Sequence, residues 1–503
     1  MVPSSVAIAL FVKNEFSDIA GWIAWHLGLG VKTLFIFDDH STDGTWEIIQ
    51  AAAKSFNIRA FQTDPVAEPD FYWRQRNCFM QAAEMAKGHY AWLGFLDGDE
   101  YVYFRHANSL PEFLERFPHA DGLALSWRIQ GSSGRVVRPR KMTVEAFTQH
   151  STPELGDNVL VKSFVRPECM GDTYHNPHWF DVPAERYVRP NGQYVPSANA
   201  VQEIDWEDAF VLHYICRSME HYIQRIKRRL NADLSDSLGY WDHFDRNDVE
   251  DFEPLRFIPK IRPIQVSINR NMVARAIEDL RKQYPPTVAI SDYEGEILES
   301  RVFSIHSAYF ETQLCVDAIT GDVCQASPAV MSERSLLPVY GAVFADTPDL
   351  ITFFVRDGVH VEHNRALKVF GDDRVFSELT YQIAKTIQDK PEGTALRTTL
   401  SGEYLCFILP HDGIGQVEAN RRQAKDWEEA SLRPEFNVTY SWQRMTAPLP
   451  TSGKMTFDSL ITWLRNEKDA PSIYLFLKMI ALLSPSDREK LHRHVPGLLW
   501  GFI

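Results

Sequence analysis

Asp97, Asp99 and Glu100 crowd into the short stretch "DGDE", directly behind the apolar run "YAWLGFL". A carboxylate pair one residue apart on a turn, with Gly98 between, can hold a hard divalent cation, Mn2+ or Mg2+, by one or two oxygens. Its remaining positions then go to water and phosphate, which is how a nucleotide diphosphate is gripped. An Asp-x-Asp alone is weak evidence: it arises by chance about once in a chain this long, and Asp-Gly is an ordinary turn signal. A second acidic turn, "DDHSTDG", opens with Asp38 and Asp39, where the bland reading has Asp38 capping a helix that begins near Gly44. His213 follows the apolar "DAFVL"; a neutral imidazole there suits Mn2+, although a lone histidine is more often structural.

The elements around these residues explain where they would stand. "VAIALF" (6–11) reads as a strand covered on both faces, followed by a helix with Ser17 or Asp18 at its start and Gly28 and Gly30 at its end. "KTLFIF", "IRAF" and "YAWLGFL" read as further strands, separated by helical patterns over 45–56 and 71–87. Strands and helices alternating at this spacing predict a parallel sheet with helices on both faces. Ligands in such sheets bind beyond the carboxyl ends of the strands. Asp38, Asp39, Asp97 and Asp99 all fall at such ends.

The order strand, "VKNE", helix, strand, "DDHSTDGT", then a later apolar strand and "DGDE", resembles the nucleotide-sugar half of A-type glycosyltransferases, a Rossmann-like α/β (GT-A) domain. It resembles glycosyltransferase family 2 and, more narrowly, family 92. "LSWRIQGSSG" (125–134), "VKSFVRPE" (161–168) and "LHYICRSMEHYIQRIKRR" are similar to motifs of the narrower group, so that the resemblance covers about residues 5–232. Gln130 departs from it, standing where that family commonly has Phe.

The resemblance implies a donor site of Asn14, Glu15, Asp38, Asp39, Arg76 and Asp97 for a nucleotide diphosphate sugar, a UDP-sugar first. It implies Asp97, Asp99 and His213 for the metal, with Glu100 turned inward as a brace. Trp127, Arg128 and His178 fall on the side of a carbohydrate acceptor. Inversion at the anomeric carbon needs a general base; Asp172, Asp181, Glu185 and Asp208 lie in the right part of the chain, and Asp181, beside the aromatic "HWF", is the choice made here. In "RIKRR" (225–229) the bases read as the wet face of a helix whose buried stripe is Met219, Tyr222, Ile223, Ile226 and Leu230.

The remainder of the 503 residues divides into a linker or wrapping segment (236–298), an all-β unit (299–436) and a helical end (437–503). Residues 395–432 resemble one repeat of a fascin-like β-trefoil, with degenerate copies at 306–326 and 351–370, which implies a carbohydrate-binding or packing domain. A formal charge of -15 speaks against a nucleic-acid partner. Six dispersed cysteines and an N-terminal apolar run too short for a leader or a span point to a cytoplasmic chain with no integral membrane segment. Oligomeric state is left open. The rival reading is an inactive glycan- or protein-binding chain on the same scaffold, and intact Asp97, Asp99 and His213 speak against it.

Overall fold

The structure, a computed structural model, describes residues 5–139, 142–195, 202–228, 237–286 and, with gaps between 318 and 482, 296–500. It forms two compact units, Met1–Asn271 and Met272–Ile503. The first therefore runs on past the expected boundary at 235.

In the first unit, β1 (Val6–Val12), β2 (Thr33–Asp38), β3 (Ile58–Gln62) and β4 (Trp92–Leu96) form where the apolar runs predict them. Every residue of β1, β2 and β4 is buried. β5 (Glu100–Phe104), β6 (Gly122–Ile129), β7 (Val161–Val165) and β8 (Ala209–His213) extend the sheet in the order β3-β2-β1-β4-β7-β6-β8-β5, and the short strand Tyr187–Val188 joins it beside β6. The sheet is mixed, and this corrects the all-parallel expectation. β7 runs antiparallel to both β4 and β6, and β5 antiparallel to β8.

The consequence is functional. β1, β2, β4, β6 and β8 end at one edge, while β5 and β7 begin there, so Asp38, Asp97, Glu100, Lys162 and His213 share that edge.

Helices α1 (Ile19–Gly28), α2 (Thr45–Ala53) and α3 (Phe71–Ala86) connect the first strands. Asp18 precedes α1 but makes no capping bond, and α2 starts behind Asp43, whose carboxylate accepts from the Thr45 backbone N–H at 3.0 Å. Asp38 is thus no helix cap. Its Oδ2 accepts from the Ser41 N–H at 3.1 Å, which tightens the turn itself.

The 236–298 segment is partly ordered structure. Helix Ser237–Phe244 lays Tyr240, Trp241 and Phe244 on a small core of Ile129, Ile215 and Cys216. Asp245 and Asn247 then accept from the Ser132 and Ser133 N–H groups at 2.6 and 2.7 Å. A Cβ at Gly131 would collide with the Arg246 carbonyl and the Asn247 side chain, so the glycine lets this strap lie on the loop. A 26-residue helix, Ile258–Gln283, follows.

The second unit is dominated by antiparallel strands, with a core that includes Ile305, Leu314, Val316, Val339, Ile351, Leu405 and Val417. The repeat-like stretch 395–432 supplies strands Ala395–Thr398, Tyr404–Phe407, Ile414–Arg421 and the start of Ala430–Pro434. Much of 351–370 lies outside the described residues. In the C-terminal region, Ser484 caps helix Pro485–His494 by accepting from the Asp487 N–H. No helix among the described residues is long and apolar enough to cross a membrane. All six cysteines are free thiols.

Candidate active site

The acidic turn is split between two cations. Asp97 Oδ2 accepts a hydrogen bond from the ammonium of Lys162 at 2.7 Å, and Lys162 also stands 3.2 Å from Glu100 Oε2. Lys162 and Glu100 are both wholly buried. Glu100 is indeed the inward brace: it accepts from the Asp97 N–H at 2.8 Å and from the Trp127 indole N–H at 2.9 Å. Burial pushes the Glu100 carboxyl up, to about 8, with Lys162 pulling the other way and Asp97 and Asp99 adding to the rise. Burial works against the charge on Lys162, but Asp97 and Glu100 raise its pKa.

Asp99 turns the other way, to Arg225 at 3.3 Å and to His213 Nε2 at 3.7 Å. Burial opposes its charge, yet His213, Arg225 and Arg217 hold it well below the usual carboxylate range. His213 reaches this spot because β8 pairs with β5, His213 opposite Glu100. Burial lowers the His213 pKa against the pull of Asp99. Its ring lies 4.0 Å from that of Trp127, centroid to centroid.

The neighbouring loops carry a second network. Asn14, with φ 55°, donates its N–H to Ser41 and accepts from the Thr42 N–H, both at 2.8 Å, and so ties the β1 loop to the "DDHSTDG" turn. Glu15 and Asp18 share Arg217, at 2.6 and 2.9 Å. A small pocket lies here, lined by Asn14, Glu15, Arg138, Arg217, His221 and Arg225 among others.

Asp39 is fully buried and gripped by Arg74, Nε to Oδ1 at 2.7 Å and Nη2 to Oδ2 at 3.0 Å. The Oδ1 atom of Asp38, by contrast, is buried with no hydrogen-bond partner among the described residues. Arg76, chosen from the sequence, lies instead over the exposed Trp73 ring and bonds Asn77. The arginine that pairs with Asp39 is Arg74.

The three residues expected on an acceptor side separate. Trp127 and His178 remain at the site, rings 5.2 Å apart, but Trp127 is a buried brace for Glu100. Arg128, one residue on, points to the opposite face of β6, as strand alternation requires. There it pairs with Asp251 at 2.6 Å and covers Phe210, so it is structural. Gln130 is buried and donates to the Arg128 carbonyl.

Asp181 is half-buried; its backbone carbonyl accepts from the Gly171 N–H at 2.7 Å and its Oδ2 from the Thr173 N–H at 3.4 Å. Asp208 precedes β8 and is held by Arg116, about 16 Å along the strand from His213, which removes it as a base there. In the "HYIQRIKRR" helix, Met219–Arg228, the inward residues are His221, Tyr222 and Arg225, while Ile223 is exposed.

Asp99 and His213 supply an oxygen and a nitrogen of the kind that Mn2+ accepts, and the buried Nδ1 of His213 has no hydrogen-bond partner among the described residues. Asp97, expected as a third ligand, is engaged by Lys162. Among the described residues no three of His, Cys, Asp and Glu stand close enough to hold an ion.

The model of glycosyltransferase family 92 matches residues 3–234. A glycosyltransferase family 92 protein of Oryza sativa subsp. japonica is 26% identical over 196 residues, which is 38% of this chain and 31% of the relative. One from Ricinus communis is 29% identical over 177 residues, 32% of this chain and 28% of the relative. The matches thus span about a third of the length of these curated relatives. Among solved structures, S. aureus TarS 1–349 in complex with UDP aligns over 57% of this chain and 94% of its own at 15% identity and a TM-score of 0.25. Residues 3–234 are thus similar to glycosyltransferase family 92, by the family model and by these relatives alike.

Proposed function

We propose that the first unit transfers a glycosyl group, with inversion, from a nucleotide diphosphate sugar to a hydroxyl of a carbohydrate acceptor, the donor being a UDP-sugar. The observation that carries this is the convergence of Asp38, Asp97, Asp99 and His213 on one edge of the sheet, beside the buried Arg217 and the half-buried Arg225. The open acceptor oxygen of Asp38 suits an imide or hydroxyl donor of the nucleoside, since an ionised carboxylate only accepts. Arg74 holds the neighbouring Asp39 and keeps that turn in place.

Asp99 and His213 would hold Mn2+ or Mg2+. When bound, the ion supplies positive charge against the departing diphosphate. Arg225 and Arg217 add fixed positive charge at the same edge. Trp127 and His178 border the acceptor side, and Asp181 takes the proton of the attacking hydroxyl. The β-rich second unit is proposed as a trefoil that holds carbohydrate.

Thermal shift with a panel of nucleotides, each with and without Mn2+, tests the reading. Stabilisation by UDP that deepens with metal supports it. Indifference to every nucleotide favours the inactive binding scaffold.

A further inference from the structure

Resting on the donor site proposed above, we infer that Lys162 is a resident counter-cation: it withholds Asp97 from a divalent ion, so that the site takes metal weakly until a diphosphate supplies the missing oxygens. Lys162 sits in the otherwise uncharged strand "VKSFV" with no exposed surface, and its Nζ lies 2.7 Å from Asp97 Oδ2 and 3.2 Å from Glu100 Oε2. A buried ammonium is tolerated only when paired, and this one is paired with the very carboxylate that an Asp-x-Asp metal site would use. The second oxygen of Glu100 is engaged by Trp127, and its Oε2 also accepts from the Asp97 N–H. The Lys162–Asp97–Glu100 group is thus fixed from several sides.

The charge balance makes the consequence direct. Asp97 and Asp99 face Lys162 and Arg225, so these four side chains balance; without Lys162 one negative charge is left over. An ion approaching Asp97 would meet a fixed positive charge a few ångströms away, where repulsion is only weakly screened. Lys162 is therefore a positioning residue. It keeps Asp97 beside Glu100 and leaves Asp99 with His213 as the metal-facing pair.

The test is Mn2+ binding to the full chain without nucleotide, followed by the electron paramagnetic resonance of free Mn2+, for wild type, Lys162→Met and Lys162→Met/Glu100→Gln. The double variant removes a partner of each sign and guards against a misfolded single one. The expected result is Mn2+ binding at least tenfold tighter once Lys162 is gone, with the gain lost when Asp97→Asn is added. A folded variant that binds Mn2+ no more tightly than wild type overturns the inference. The UDP thermal shift of the wild type, measured alongside, reports separately on the donor site, so either idea can fail alone.

Discussion

Arg74 and Asp39 meet through two parallel hydrogen bonds, 2.7 and 3.0 Å long, in a place where the carboxylate has no exposed surface. Thr63 adds a third bond to Asp39 at 2.7 Å. Burial opposes the charge on Asp39, and the Arg74 and Thr63 hydrogen bonds bring its pKa down regardless. Removing one member of a buried pair strands the other, so Arg74→Met is expected to cost about 3–5 kcal/mol in urea denaturation at pH 7. Arg74→Lys keeps the charge but not the fork, and falls between. Equal stability for all three proteins contradicts this.

Asp99→Asn keeps the shape of the turn and removes its charge. On the proposed reading, release of UDP from the active UDP-sugar falls by about 10²–10³, the scale of losing one group that stabilises developing charge. Circular dichroism reports that the fold persists. A fully active variant would mean that Asp99 plays no part in transfer.

Trp127→Phe deletes the indole N–H that Glu100 accepts while keeping most of the ring packing. A hydrogen bond to a buried carboxylate is worth about 1.5–3 kcal/mol. Loss of that size is the expected outcome of chemical denaturation, and a change below about 0.5 kcal/mol shows that Glu100 does not depend on the bond.

His26 gives a pH prediction away from the site. It is wholly buried between α1 and β5; its ring Nδ1–H donates to the Trp22 carbonyl at 3.0 Å. Burial pushes its pKa from 6.5 down to about 3, against that hydrogen bond. The unfolded chain thus binds the extra proton first: the contribution is complete above pH 6.5 and declines as pH falls toward 3. Between pH 7.5 and pH 5, wild type should lose about 2 kcal/mol more stability than His26→Leu. Parallel pH profiles for the two proteins exclude His26 as the source.

Much of the first unit is visible in the sequence because buried strands must be apolar throughout and their ends must turn. β1, β2 and β4 are such runs, and the acidic turns stand directly behind two of them. The reversal of β7 leaves no such mark, since strand direction is set by pairing across the sheet. Arg74 could have been preferred to Arg76, because residues 74, 78, 82 and 86 form the buried stripe of α3 at helical spacing. Arg225 could not: its partner Asp99 lies far away in the chain, and the helix pattern around it reads equally well with Ile223 inward. Lys162 carried a signal, a charge inside an uncharged, buried strand, but nothing local named its partner.

β7 enters the sheet against the grain, and so delivers its beginning to the reactive edge, directly after the short helical turn Gly156–Val159. Strand residues alternate faces, so a slip of one position would swing Lys162 to the far side and bring Val161 or Ser163 round in its stead. The charge balance of the cleft is thus encoded in the length of a surface loop, and a single inserted or deleted residue there would switch it as surely as mutating the lysine.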